Sequence, residues 1–122
     1  MLFRSYHAFT AHIKAHAELR QRAAEYYVYG DFRDQEGISV DAPDGTLAKV
    51  YHNRAAKKVG IVVVELNGAE AMVAIESRWT PATGSVWRRS SHSPDHEILF
   101  DARLKVPLKP HEVCVLCMDL AR

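Results

Sequence analysis

Thiols, carboxylates, histidines and tryptophans are the side chains here that could do chemistry, and their spacing decides which chemistry. Cys114 and Cys117 form a C-x-x-C, which on a helix after a strand would point to redox exchange or zinc. They stand instead in Val113-Cys114-Val115-Leu116-Cys117-Met118, a β-like apolar run. On a strand, positions i and i+3 face opposite ways with Cα atoms about 10 Å apart, too far for a disulfide. No second C-x-x-C or nearby histidine pair completes a zinc site. Buried structural thiols are the expectation.

Carboxylate pairs do acid–base work on glycosidic bonds when set about 5 Å, or about 6.5–9.5 Å, apart. The nearest cluster is Asp31, Asp34 and Glu36, in a polar turn after a helix. Solvated charges, or an Arg33 partner, are the expected reading. Among seven histidines, His12 and His16 share a helix face at i and i+4, but Ile13, Lys14 and Ala15 lie between them, with no H-E-x-x-H. His92 and His96 flank Pro94 beside Asp95. Both pairs read as surface histidines, so no metal is expected. Ser90, Ser91 and Ser93 lack the G-x-S-x-G elbow of a nucleophile. The six glycines never form a phosphate-cradling G-x-G, so no nucleotide and no other cofactor is expected. Arg88-Arg89 and Lys57-Lys58 read as solvated loop ends, not a phosphate-tracking stripe.

Trp79 and Trp87 are the non-catalytic candidates. An exposed indole can stack on an apolar sugar face, and Trp87 precedes Arg88, which would give a polar rim. The competing reading is packing in the core or at a domain interface. Tyr26, Tyr27 and Tyr29 read as core and staple contacts.

The elements that would carry these groups change period near residue 46. Phe3 to about Tyr29 holds no Gly or Pro and many good helix formers. Tyr6, Phe9, Ile13 and Ala17 make one apolar stripe, and Leu19, Ala23 and Tyr26 or Tyr27 continue it. Ser5 or Thr10 would cap its start, and Gly30 would end it in the left-handed conformation. Asp31 to Gly45 reads as a linker with turns, Pro43-Asp44-Gly45 among them. Beyond it, alternation predicts strands at 47–52, 59–66, 70–76, 85–88, 97–106 and 112–120. Asn67-Gly68 predicts a hairpin between the second and third. The division expected is residues 1–45, helix and linker, and 46–122, an antiparallel β-sandwich. Val59 to Val64 and Val113 to Met118 are apolar on both faces, so something must cover the second face. The helix is the internal candidate; a second copy or another domain is the external one.

At 122 residues, with 48% hydrophobic and 25% charged side chains, the chain is sized and composed as one globular domain. A net charge of +1 argues against a nucleic-acid groove or an anionic membrane surface as partner. No apolar run approaches the ~20 residues that span a bilayer. No signal peptide is expected at Met1 to His16, since Arg4, His7, His12 and Lys14 interrupt it, so a cytoplasmic location is expected.

The order of motifs resembles the C-terminal end of (β/α)8-barrel glycoside hydrolases, where the last barrel helix leads into a small antiparallel β-sandwich. The residues that carry the resemblance begin with the helix end Tyr26-Tyr27-Val28-Tyr29-Gly30-Asp31-Phe32. Strands follow around Val50-Tyr51-His52-Asn53-Arg54 and Val62-Val63-Val64-Glu65-Leu66-Asn67. The chain closes with Val106-Pro107-Leu108-Lys109-Pro110-His111-Glu112-Val113-Cys114-Val115-Leu116, in which Pro107 and Pro110 end the 97–106 run and lead into the last strand. The resemblance spans nearly the whole chain. It implies that the catalytic barrel is missing, that no catalytic residue carries over, and that this is an accessory domain without activity alone. Two other readings stand beside it: a carbohydrate-binding module using Trp79, Trp87 and Arg88, and a homodimerisation protein joined through uncovered strand faces.

Overall fold

The computed structural model describes residues 6–81, 85–89, 96–98 and 103–120, with side chains at 14–81, 85–88 and 103–120. One helix precedes nine strands among them: α1 Tyr6–Arg22, β1 Asp31–Phe32, β2 Ile38–Asp41, β3 Thr46–Asn53, β4 Lys58–Glu65, β5 Ala71–Ser77, β6 Ser85–Arg89, β7 His96–Ile98, β8 Arg103–Leu108 and β9 Val113–Asp119. Six strands form one sheet in the order β1-β3-β4-β9-β6-β7, and three form a second, β2-β5-β8. Every pairing is antiparallel, as short connections require. The mainly β class and the antiparallel sandwich behind an N-terminal helix are thus as the sequence predicts.

Alternation places the main core between the sheets. Ala48 and Val50 of β3, Val59, Ile61 and Val63 of β4, and Cys114, Leu116 and Met118 of β9 face Val73, Ile75, Leu104 and Val106 of the smaller sheet. Registers keep these side chains on one face: Val63 opposes Cys114, and Ile61 opposes Leu116. The opposite face of the same strands carries Val62, Val113, Val115 and Cys117, and α1 and its tail cover it with Leu19, Ala23, Tyr26 and Tyr27. Removing Leu19 from water contributes about 2 kcal/mol. The helix is therefore the cover that the two doubly apolar strands demand. Cys114 and Cys117 are both buried thiols outside any disulfide, one in each core.

Seven local expectations are corrected. Regular helix stops at Arg22, and residues 23–29 form single turns. Tertiary contacts hold this tail off the helix path: the Asn53 side-chain amide donates to the Glu25 carbonyl at 2.9 Å. The Tyr26 carbonyl rests on Gly60, where an added Cβ would come within 2.2 Å of it. Gly30 is not left-handed; it lets the chain pass Tyr51. Ala17 is exposed, so the first stripe does not continue to it, while Ser5 and the side chains of Tyr6, Phe9, Thr10 and Ile13 lie outside the described residues.

Residues 31–45 hold two strands, β1 and β2, one in each sheet. Asn67-Gly68 makes no hairpin, because β4 and β5 belong to different sheets and the turn carries the chain between layers. The alternating run 97–106 is likewise split between β7 and β8, in different sheets. Pro107 lies within β8 and does not end it; β8 is an edge strand, where a missing N–H is tolerated.

Candidate functional site

The most buried carboxylate is occupied by the backbone. Glu65, 1% exposed, ends β4 and accepts N–H bonds from Asn67 (2.7 Å), Gly68 (2.9 Å), Ala69 (3.2 Å) and His111 (2.8 Å). Burial raises its pKa, but the four donors outweigh burial and hold the carboxyl below its usual range. Its own N–H donates to the Glu112 carbonyl at 3.0 Å. Asn67 also donates to the Asp44 carbonyl, tying the Pro43–Gly45 turn to this knot. Glu65 closes one end of the sandwich and has no lone pair free for catalysis.

Lys58 is a further correction, since it is not a solvated loop end. Its Nζ lies 3.0 Å from Glu25 and 3.0 Å from Asp119, and it donates to the Tyr26 hydroxyl at 3.2 Å. Tyr26 in turn donates to Asp119 at 2.9 Å. The bond to Glu25, more than any other contact, raises the Lys58 pKa. This cluster fastens the helix tail to β4 and β9. Of the acidic turn, Asp34 pairs with Lys49, and Glu36 lies 3.9 Å from Arg33. Among the described residues, no three metal-ligating side chains gather. His92, Ser90, Ser91 and Ser93 lie outside the described residues, as do the side chains of His12 and His96.

The two tryptophans part company. Trp87 is 4% exposed and packs between the sheets opposite Leu116, so it offers no face to a sugar. Arg88, next on β6, opposes Val115 and shares the helix-side face, away from Trp87. The proposed rim of Trp87 with Arg88 is therefore not assembled, because neighbours on a strand point to opposite faces. Trp79 is only half-buried and stands at the other end of the sandwich from Glu65.

Trp79 is fixed from several sides. Its Nε1 donates to the Glu36 carbonyl at 2.8 Å. Its N–H donates to Ser77 Oγ at 3.0 Å, and that hydroxyl donates back to the Trp79 carbonyl at 3.3 Å. Gly37, at φ 79°, lies under the indole, where a Cβ would fall 2.5 Å from Nε1. His52 meets the ring edge-on, with centroids 4.9 Å apart. It continues the inward face of β3 after Ala48 and Val50. Around these lies a surface concavity of about 420 Å³, completed by Arg33, Arg54 and Arg78. Burial first, then the Arg33 and Arg54 guanidiniums, hold the His52 imidazole below the usual histidine range. Arg78 is placed by its N–H, which donates to the Gly37 carbonyl at 2.7 Å. Among the described residues, neither Arg54 nor Arg78 has an acidic ion-pair partner.

Sequence reasoning found Trp79 but missed His52 and the three arginines. They come from three separate segments, around residues 33, 52–54 and 78, and no spacing announces their convergence. No helix of the described residues is long and apolar enough to cross a membrane. No protein-family model, curated protein or solved structure matches the chain.

Proposed function

We propose that the chain is a non-catalytic accessory β-sandwich domain that packs against, and supports, a neighbouring catalytic domain. The observation that carries this reading is where the exposed apolar surface lies. Val28, Tyr29 and Phe32 are 42%, 70% and 58% exposed and follow one another in the chain where the helix tail enters edge strand β1, whereas Leu47, Leu66 and Met72, the other exposed large hydrophobics among the described residues, lie on other strands and turns. Exposed aromatic groups at a domain's point of entry suit an inter-domain contact. The resemblance to the sandwich that follows the last helix of barrel glycoside hydrolases supports the same reading, with a hydrolase barrel as the neighbour. Two buried thiols outside any disulfide suit a reducing compartment, so the cytoplasm is the proposed setting.

Two measurements test it. The isolated chain, assayed on a panel of aryl glycosides, should show no turnover; turnover that survives repurification would overturn the reading. Replacing Tyr29 and Phe32 by Ser should lower binding of a hydrophobic dye and leave Tm within about 2 °C, since surface changes away from buried features move stability by about 0.5 kcal/mol. A marked loss of Tm would make these residues part of the fold and not of an interface. A second copy as partner has less to recommend it, because α1 covers the strand faces that would have paired.

A further inference from the structure

We propose that the concavity around Trp79 is a binding site for an acidic sugar, a pyranose bearing a carboxylate or a phosphate. Two observations carry it. The first is charge. Arg33, Arg54 and Arg78 converge on a space of about 420 Å³, with Glu36 the single acid among its lining residues. Glu36 stands 3.9 Å from Arg33, which leaves Arg54 and Arg78 uncompensated among the described residues. Glu36 and Asp31, which lies across from His52 on β1, are the nearby acids among the described residues, and neither pairs with Arg54 or Arg78, so an anion entering this space would meet two guanidiniums with no ion pair to give up. Guanidiniums are also the groups whose forked donors match carboxylate and phosphate oxygens.

The second is the rigid aromatic wall. The Nε1 bond to the Glu36 carbonyl and the glycine beneath the ring orient the Trp79 indole, while Ser77 Oγ ties its backbone. A half-buried indole held this way presents an apolar surface without an entropic cost on binding. An anionic group on the arginines and a ring along the indole together describe one ligand. The volume fits it too, lying in the range of about 300–1,000 Å³ for small-molecule sites. A second concavity, about 300 Å³ on the outer face of the small sheet, is lined by Glu76 and Arg103, which already pair at 3.2 Å. The proposal does not rest on a catalytic domain packing nearby, so the two readings fail separately.

Tryptophan emission of the whole chain decides it, titrated with glucuronate, glucose 6-phosphate, glucose and inorganic phosphate at one ionic strength. The expected result is a saturable change with glucuronate or glucose 6-phosphate, and none with glucose at the same concentration. Which of the two responds identifies the anionic group. The response should vanish in Trp79→Phe, and the Arg54→Gln, Arg78→Gln double variant should bind at least tenfold more weakly with an unchanged circular dichroism spectrum. Silence toward both sugar acids, or unchanged affinity in the arginine variant, would overturn the site. Inorganic phosphate binding as tightly as either sugar acid would overturn the part assigned to Trp79.

Discussion

The two ends of β3 handle charge in opposite ways. At its start, Thr46 opposes Glu65, whose buried carboxylate collects four backbone N–H groups. Six residues on, about 20 Å along the strand, His52 faces a space lined by three arginines, of which Arg54 and Arg78 have no ion-pair partner among the described residues. One end satisfies a charge with fixed dipoles and so closes the sandwich. The other leaves charges available. A charged cluster is informative about ligands only after its internal partners have been counted, and by that count the conspicuous acid is structural.

Breaking the closed end should give the largest effect. Glu65→Gln puts an NH2 donor among N–H donors, leaving buried groups unsatisfied at a cost of about 3 kcal/mol. A Tm fall of roughly 10–20 °C in calorimetry is expected; a fall under 3 °C would mean the knot holds nothing together. Acid should loosen the same end. The folded Glu65 pKa lies below the unfolded value of 4.5, so its contribution is full above that value and is lost as pH falls through the folded pKa. Denaturant midpoints should therefore drop more steeply below about pH 4.5 in the wild type than in Glu65→Gln.

Lys58→Met is expected to cost about 1 kcal/mol, because the lysine is only partly buried while Glu25 and Asp119 are mostly exposed. Amide exchange should localise that loss to the helix tail. The smallest change belongs to the open end. Arg78→Gln should move stability by no more than about 0.5 kcal/mol, since no ion pair is broken. A loss above 2 kcal/mol would show that the cleft, too, is structural, and would erase the contrast.

Much of the fold was legible in the residues. Alternation located β3 and β5, and the doubly apolar β4 and β9 demanded covers on both sides, which the small sheet and α1 provide. The C-x-x-C spacing correctly separated its two thiols. What misled were signals read locally. Asn67-Gly68 has the composition of a hairpin, yet Glu65 gathers its N–H groups and sends the chain to the other sheet. Tyr26 to Tyr29 could extend a helix, but Gly60 and Asn53 draw that backbone onto the sheet. The cleft was the least legible, because Arg33, His52, Arg54 and Arg78 meet only through strand pairing across two sheets.

The split placement of Cys114 and Cys117 makes the last strand a two-channel reporter of opening. A thiol reagent can reach Cys117 once the helix lifts away, whereas Cys114 stays protected until the two sheets separate. The ratio of their labelling rates would therefore show whether the outer layer peels off first or the whole molecule unravels at once.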